Sequence, residues 1–178
     1  LRATLPTPPE MPPHRRLAAV WFAAIVDYTR LAAEDERAAL QLVGLFQTIV
    51  REAVSSGGGK VVKFLGDGAL AEFSSVDAAA RTAILLRRDF SRRVAELDLA
   101  SSLRIGIHLG DIVTPPDGDL YGDGINVASR LHGVAEPGQI VLSDDAWRQL
   151  RQRKEYVFSR IGDRELKGIV GPMGVFDL

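Results

Sequence analysis

GGGKVVKFLGDGALAEF, residues Gly57 to Phe73, decides the fold. Two apolar runs flank Gly66-Asp67-Gly68, and Asp-Gly between apolar runs is the strongest short-range signal for a β-hairpin, here read with a type I′ turn. That reading places one carboxylate, Asp67, at a rigid tip. An isolated Asp-Gly is usually a turn former and nothing more. Here Lys63 stands just before it, in a run that otherwise reads as a wholly buried strand, and a lysine is rarely buried without a partner or a task.

Upstream of the hairpin, LAAVWFAAIV (Leu17 to Val26) is an apolar run of strand length, read as a central strand covered on both faces, and it ends in Asp27-Tyr28-Thr29. From about Glu34 to Val54, Leu40, Val43, Phe46, Ile49, Val50 and Val54 recur at helical spacing, and Ser55-Ser56-Gly57-Gly58-Gly59 stops the helix. A second helix is expected from about Val76 to Leu97. Strand, helix, hairpin, helix is the opening of an α/β sandwich.

Further on, LRIGIHL (Leu103 to Leu109) alternates as a strand, and Gly110 to Val113 continues it or starts a hairpin partner. TPPDGD (Thr114 to Asp119) is turn chemistry throughout. Tyr121 to Leu131 opens a helix, Ile140 to Leu142 is a short strand, and Ser143 caps a short helix to about Leu150. Late strands are expected over Tyr156 to Ile161 and Gly174 to Leu178, flanking the turn Lys167-Gly168. No internal repeat is visible.

The chain has 178 residues, about one domain, with 22 basic and 23 acidic side chains for a net charge of −1. That balance speaks against a broad nucleic-acid footprint, which needs a basic face. Without cysteine, disulfides and thiolate chemistry are excluded. No apolar run approaches the roughly 20 residues of a membrane helix, and no signal peptide is evident. A soluble, cytoplasmic domain without membrane contact is therefore expected. Five prolines between Leu1 and His14 assign residues 1–15 to a semi-rigid linker and 16–178 to the folded domain. Since the first residue is Leu1 rather than Met, a longer parent protein is expected.

Five stretches, in order, resemble the class III nucleotidyl cyclases. Lys63 to Asp67 is similar to the family's Lys-x-x-Gly-Asp hairpin. WFAAIVDYT resembles F-x-D-I-V-G-[FY]-T, RIGIHLGDIV resembles the strand pair before the catalytic helix, and DLYGDGINVASR (Asp119 to Arg130) is close to D-x-[WY]-G-x-x-V-N-x-A-[SA]-R. ELKGI (Glu165 to Ile169) resembles the terminal L-K-G turn. Together they span most of Leu17 to Leu178. The resemblance implies an α+β fold, a ferredoxin-like or palm-type sandwich with a mostly antiparallel sheet flanked by helices.

It also implies a reaction, the conversion of ATP to 3′,5′-cyclic AMP and pyrophosphate by in-line attack of the ribose 3′-hydroxyl. Two Mg²⁺ or Mn²⁺ ions per site assist it in the family. The metal set implied here is Asp67, the backbone of Ile25 and the position of Ala24, where the family's other metal-binding Asp is replaced by a residue with no ligand atom. Turnover by this chain is therefore expected to be strongly impaired. Three accounts compete. A natural pseudo-cyclase would show several eroded positions, yet the others look intact. Asp27, in the motif's Gly position, is an odd number of residues from Ala24, so strand alternation points it to the other face. The account favoured is a single deliberate substitution in an otherwise competent enzyme, one that traps nucleotide.

Lys63 and Asp119 match the family's adenine-reading pair, one donor and one acceptor. Guanine has a similar polar edge, so a guanylate cyclase is the alternative, and the preference for ATP rests on the resemblance. Asn126 and Arg130 are four apart on the expected helix and share a face. In the family they orient the ribose and stabilise the phosphoryl group, and a guanidinium fork suits the second task. Lys167 matches the residue that holds the terminal phosphates, and the backbone N–H groups of Ile25, Val26, Asp27 and Tyr28 are expected to cradle them. Taken singly these residues have bland readings, a snorkelling lysine or a surface arginine; jointly the functional reading prevails. His108 is read as structural, His14 and His132 as lacking ligand-like neighbours, and Trp21, Phe22, Phe64 and Phe73 as core. The resemblance further implies a head-to-tail homodimer, with the metal carboxylates of one protomer facing the Lys, Asp, Asn, Arg and Lys set of the other. Rival readings are a silent nucleotide-binding regulatory module and an RNA-binding βαβ domain, the latter weakened by the lack of an aromatic, basic strand motif.

Overall fold

The computed structural model describes residues 14–115 and 120–178. Asp119 and most of the expected Thr114–Asp119 turn lie outside the described residues. β1 (His14–Ile25) leads through a turn into α1 (Tyr28–Glu34) and α2 (Glu36–Ser56). The hairpin β2 (Lys60–Leu65) and β3 (Gly68–Phe73) follows, then α3 (Val76–Ala95) and β4 (Leu103–Thr114). The rest of the chain is α4 (Asp123–Leu131), a 3₁₀ turn over His132–Val134, β5 (Ile140–Ser143), α5 (Asp144–Leu150), β6 (Ser159–Glu165) and β7 (Pro172–Asp177).

The strands form one seven-stranded sheet in the order β2-β3-β1-β4-β5-β7-β6. Every pairing is antiparallel except β4 with β5. This is the mostly antiparallel palm-type α+β architecture that the motifs imply. β1 begins at His14, two residues inside the stretch expected to be linker. β4 is one continuous strand that pairs with β1 from Leu103 to Thr114, which settles the reading of Gly110 to Val113. The helix expected from about Glu34 to Val54 is α2, and the short α1 precedes it: Asp35 between them is extended, with φ −150°, and its side chain accepts from Ala38 N–H to cap α2. Ser75 and Ser143 cap α3 and α5 in the same way.

Alternation along β1 builds two cores. Ala19, Trp21, Ala23 and Ile25 face α2 and α3, where Phe46 and Phe90 meet edge to face at 6.0 Å between centroids. Ala18, Val20 and Phe22 face the opposite side with Leu70, Ile112 and Leu120, and are covered by Ala128 of α4. Trp21, Phe22 and Phe73 are buried as expected, and Phe64 packs partly buried against the larger core. A third cluster joins Val127 and Leu131 of α4 to Leu166, Val141 and Val175. So α4 lies across the sheet, between the hairpin edge and the β6–β7 turn.

Among the described residues, no helix is long and apolar enough to cross a membrane.

Candidate active site

The hairpin tip and the end of β1 are one unit. Leu65 pairs with Gly68, so the two central turn residues are Gly66 and Asp67. Gly66 has φ 61° while Asp67 has no positive φ. That is the pattern of a type II′ turn and corrects the expected I′, which needs positive φ at both positions. Ala24 pairs with Gly68 across β1 and β3, and the Ile25 N–H donates to the Asp67 carbonyl at 3.0 Å. Asp67 is thereby fixed beside the position of Ala24, with a half-buried side chain.

Ala24 lies on the α4 face, partly buried against the cluster of Val20, Phe22 and Leu70, as are Val62 and Ile125. Among the described residues, nowhere do three or more His, Asp or Glu side chains converge on a possible ion site. Of the donors that the resemblance implies for two ions, Asp67 and the Ile25 carbonyl are present, and the Ala24 methyl has no ligand atom. The other acid on this face, Glu72, is buried and engaged, accepting from Arg16 Nη2 at 2.5 Å.

Lys63 reaches the same face by an irregularity. Val61 pairs with Ala71 and Lys63 with Leu70, so Val62 is an extra residue in a β-bulge. Val61 consequently packs on the α2–α3 side, whereas Val62 packs on the α4 side, and Lys63 shares the face of Leu70. Without the bulge, alternation puts Lys63 with Val61 on the wrong side. β2 is the edge strand and is nowhere buried. The premise that Lys63 sits in a wholly buried strand is therefore wrong.

Asn126 and Arg130 are both exposed on α4, while Gly124, Val127, Ala128 and Leu131 are buried. The two polar residues do share the outward face. Lys167 is exposed in the β6–β7 turn, where its neighbours Leu166 and Ile169 pack against the cluster of Val127 and Leu131. The turn is thus folded onto the flank of α4. Lys63, Asn126, Arg130 and Lys167 all belong to the α4 side of the sheet, as do Ala24 and the hairpin tip.

The phosphate cradle narrows. Ile25 N–H is taken by Asp67 and Val26 N–H donates to the Ser102 carbonyl at 2.9 Å, so neither is available. Only the N–H groups of Asp27 and Tyr28 are left of the four. Asp27 sits in the left-handed region, φ 56° and ψ 24°, which is why the motif has Gly here. The strand ends at Ile25, so alternation does not govern Asp27. It lines a cleft of about 520 Å³ with Val26, Arg30, Val94 and Leu99 on the α3 side.

Two residues of this neighbourhood were not recognised in the sequence. Arg104 pairs directly with Ala24 across β1 and β4, and its Nε is buried without a hydrogen-bond partner. A single arginine opening a strand carries no distinguishing signal. His132, read as having no ligand-like neighbours, caps α4 and stacks on Phe22 with centroids 4.6 Å apart. Burial pushes its pKa below the ordinary value; Arg104 and Arg130 push it the same way, and Asp67 and the Ser129 carbonyl oppose them. His108 is structural as expected, buried with Nδ1 2.7 Å from Ser143 Oγ. Its pKa is also lowered by burial, against the pull of Asp145.

Comparison with known proteins bears directly on this geometry. The family model of the adenylate and guanylate cyclase catalytic domain matches residues 11–178. A putative adenylate cyclase 3 of Rhizobium meliloti (strain 1021) is 36% identical over 165 residues, covering 91% of this chain and 28% of the relative. An adenylate cyclase of Glutamicibacter nicotianae is 34% identical over 142 residues, covering 79% of this chain and 34% of the relative. The chain thus spans about a third or less of the length of these relatives. Among solved structures, an adenylate/guanylate cyclase/hydrolase from Silicibacter pomeroyi superposes with TM-score 0.83 at 34% identity, covering 93% of this chain and 97% of that one. The adenylyl cyclase CyaB from P. aeruginosa gives 0.84 at 21% identity over 94% and 95% of the two chains, a likeness of fold. Motifs, fold and relatives agree, and the chain belongs to the adenylate and guanylate cyclase catalytic domain family, the class III cyclases.

Proposed function

We propose that this chain is an adenylate cyclase catalytic domain that forms 3′,5′-cyclic AMP and pyrophosphate from ATP in a head-to-tail homodimer, and that Ala24 leaves it strongly impaired. The observation that carries the reading is the juxtaposition of Ala24 and Asp67 at one end of the α4 face with Lys63, Asn126, Arg130 and Lys167 around the same face. In the reaction a bond forms between the ribose O3′ and the α-phosphorus, the bond from that phosphorus to the pyrophosphate oxygen breaks, and the 3′-hydroxyl proton is released to water or to the leaving pyrophosphate. Two divalent ions, when bound, supply charge neutralisation at the attacking and leaving oxygens.

Each residue then has a task set by its chemistry. Arg130 presents its guanidinium to the charge that builds on the phosphoryl oxygens. Asn126, on the same face of α4, orients the ribose. Lys63 donates to the adenine ring and Asp119 accepts from its amino group. Lys167 holds the terminal phosphates, and Arg104, beside Ala24, adds a second guanidinium. Asp67 and the Ile25 carbonyl are the metal donors that remain, and with Asp at position 24 the carboxylate pair is complete.

A silent nucleotide-binding module is the second reading, favoured by Ala24 itself. Assay of Ala24→Asp for cyclic AMP separates the two. An active revertant supports the enzyme, and a revertant that binds ATP without product supports the module.

A further inference from the structure

We propose that His132 is a positioning residue: its locked imidazole offers Nε2 as the hydrogen-bond acceptor for the Arg104 side chain, fixing that guanidinium beside position 24. The inference rests on the functional reading above only for its effect on catalysis; its structural basis is a buried Arg104 Nε that has no partner.

Two contacts hold the imidazole, and a third holds its backbone. Nδ1 lies 2.5 Å from the Ser129 carbonyl, which can only accept, so Nδ1 carries the proton and Nε2 keeps its lone pair. The ring stacks on Phe22 at 4.6 Å, tilted by 43°. Gly106 presses on the backbone below, since a Cβ there would be 2.6 Å from the His132 nitrogen. His132 is therefore a pre-oriented acceptor with one free site.

Arg104 supplies the matching donor. It is two residues before Gly106, on the same face of β4, so it is next to the point where His132 touches the strand. Its Nε is buried with no partner, and a buried donor left unsatisfied costs about 1–3 kcal/mol. Gly106 pairs with Phe22 and Arg104 with Ala24 across β1 and β4, so the Arg104 side chain leaves the same face of the sheet one pair along from the ring on which His132 rests. A neutral acceptor suits this position better than a carboxylate, because it orients the guanidinium without cancelling the charge that phosphate will meet. Phe22, which the ring stacks on, is itself pinned by the hairpin: a Cβ on Gly68 would be 2.6 Å from Phe22 Cζ. The same residue thus ties the end of α4 to the Asp67 tip.

Two variants separate this role from simple packing. His132→Phe keeps the stack and removes the acceptor, while His132→Gln keeps an acceptor and gives up the ring. The first readout is the Arg104 Nε–H resonance in ¹⁵N NMR of the chain as it stands. Slow solvent exchange is expected in the parent and in His132→Gln, and at least tenfold faster exchange in His132→Phe. The second is steady-state cyclase kinetics in the Ala24→Asp background. There kcat/KM is expected to fall about 10–100-fold in His132→Phe, as for losses of outer-sphere partners, and to return to within about threefold in His132→Gln. Unchanged exchange and kinetics in His132→Phe overturn the proposal, as does an equal loss in both variants. If Ala24→Asp makes no cyclic nucleotide, the functional reading fails and the NMR comparison alone decides the contact.

Discussion

Replacing Ala24 with Asp should raise cyclic AMP formation by two to four orders of magnitude. Ala24 pairs with Gly68 on one side and with Arg104 on the other, and the adjoining Ile25 N–H is bonded to the Asp67 carbonyl. A carboxylate at position 24 therefore appears on the α4 face beside the hairpin tip, with Arg104 about 4.5–5.5 Å away between Cα atoms. Restoring the second metal donor returns several kcal/mol of transition-state charge stabilisation, and about 3–5 kcal/mol corresponds to roughly 10²–10⁴ in rate. The fold should tolerate the change, because Ala24 is half-exposed near the end of β1. The assay is conversion of ATP with Mn²⁺ or Mg²⁺, read as cyclic AMP and pyrophosphate, with Ala24→Asn as the uncharged control of similar size. Asn should recover little of the gain. An Ala24→Asp protein that folds, binds Mn²⁺–ATP and turns over no faster than the parent would refute the reasoning.

Three further outcomes follow from the packing and the buried groups. Gly106→Ala puts a methyl group 2.6 Å from the His132 nitrogen and 2.9 Å from the Ala128 carbonyl, atoms of backbone that cannot swing aside. It should cost about 1–3 kcal/mol and several degrees of Tm in thermal unfolding. His108 is buried neutral, with its folded pKa depressed, so the stability it gives is full above its ordinary value and is lost as pH falls below it. Urea unfolding should show this acid loss beginning below about pH 6.5, and His108→Gln should reduce it. Tyr156 is raised to about 12 by burial and by its hydrogen bond to Asp77, so its contribution is complete below the ordinary tyrosine pKa of 10.0 and disappears as pH climbs to about 12. Absorbance at alkaline pH should show one late-titrating tyrosine, absent in Tyr156→Phe.

Much of the fold was legible because the signals were local. The apolar run of β1, the stops at Gly57 and the Ser143 cap are each written in a few neighbouring residues, and each is found in the structure. What was not legible depends on pairing between distant segments. That β2 is an edge strand, and that Val62 is a bulge residue, follows from its alignment against β3, which periodicity alone does not contain. The loss of Ile25 and Val26 as phosphate donors depends on Asp67 and Ser102, far away in sequence. Arg104 and His132 were overlooked for the same reason: each is ordinary in its own segment and acquires meaning only where β4, α4 and the end of β1 meet. β6 lies at Ser159–Glu165, later than the expected Tyr156–Ile161, because its register is set by β7 rather than by its own weak pattern.

Complementation between two disabled protomers tests the central claim most directly. In the Ala24→Asp background, Asp67→Ala and Arg130→Ala should each abolish activity as homodimers, one losing the metal donor and the other the phosphoryl ligand. Mixing them creates heterodimers in which one site has an intact Asp67 from one protomer and an intact Arg130 from its partner. Random pairing should restore about a quarter of the parent rate, as expected for a two-fold symmetric dimer with shared sites. A mixture that stays as inactive as its two components, while size-exclusion chromatography shows exchange into dimers, contradicts the account.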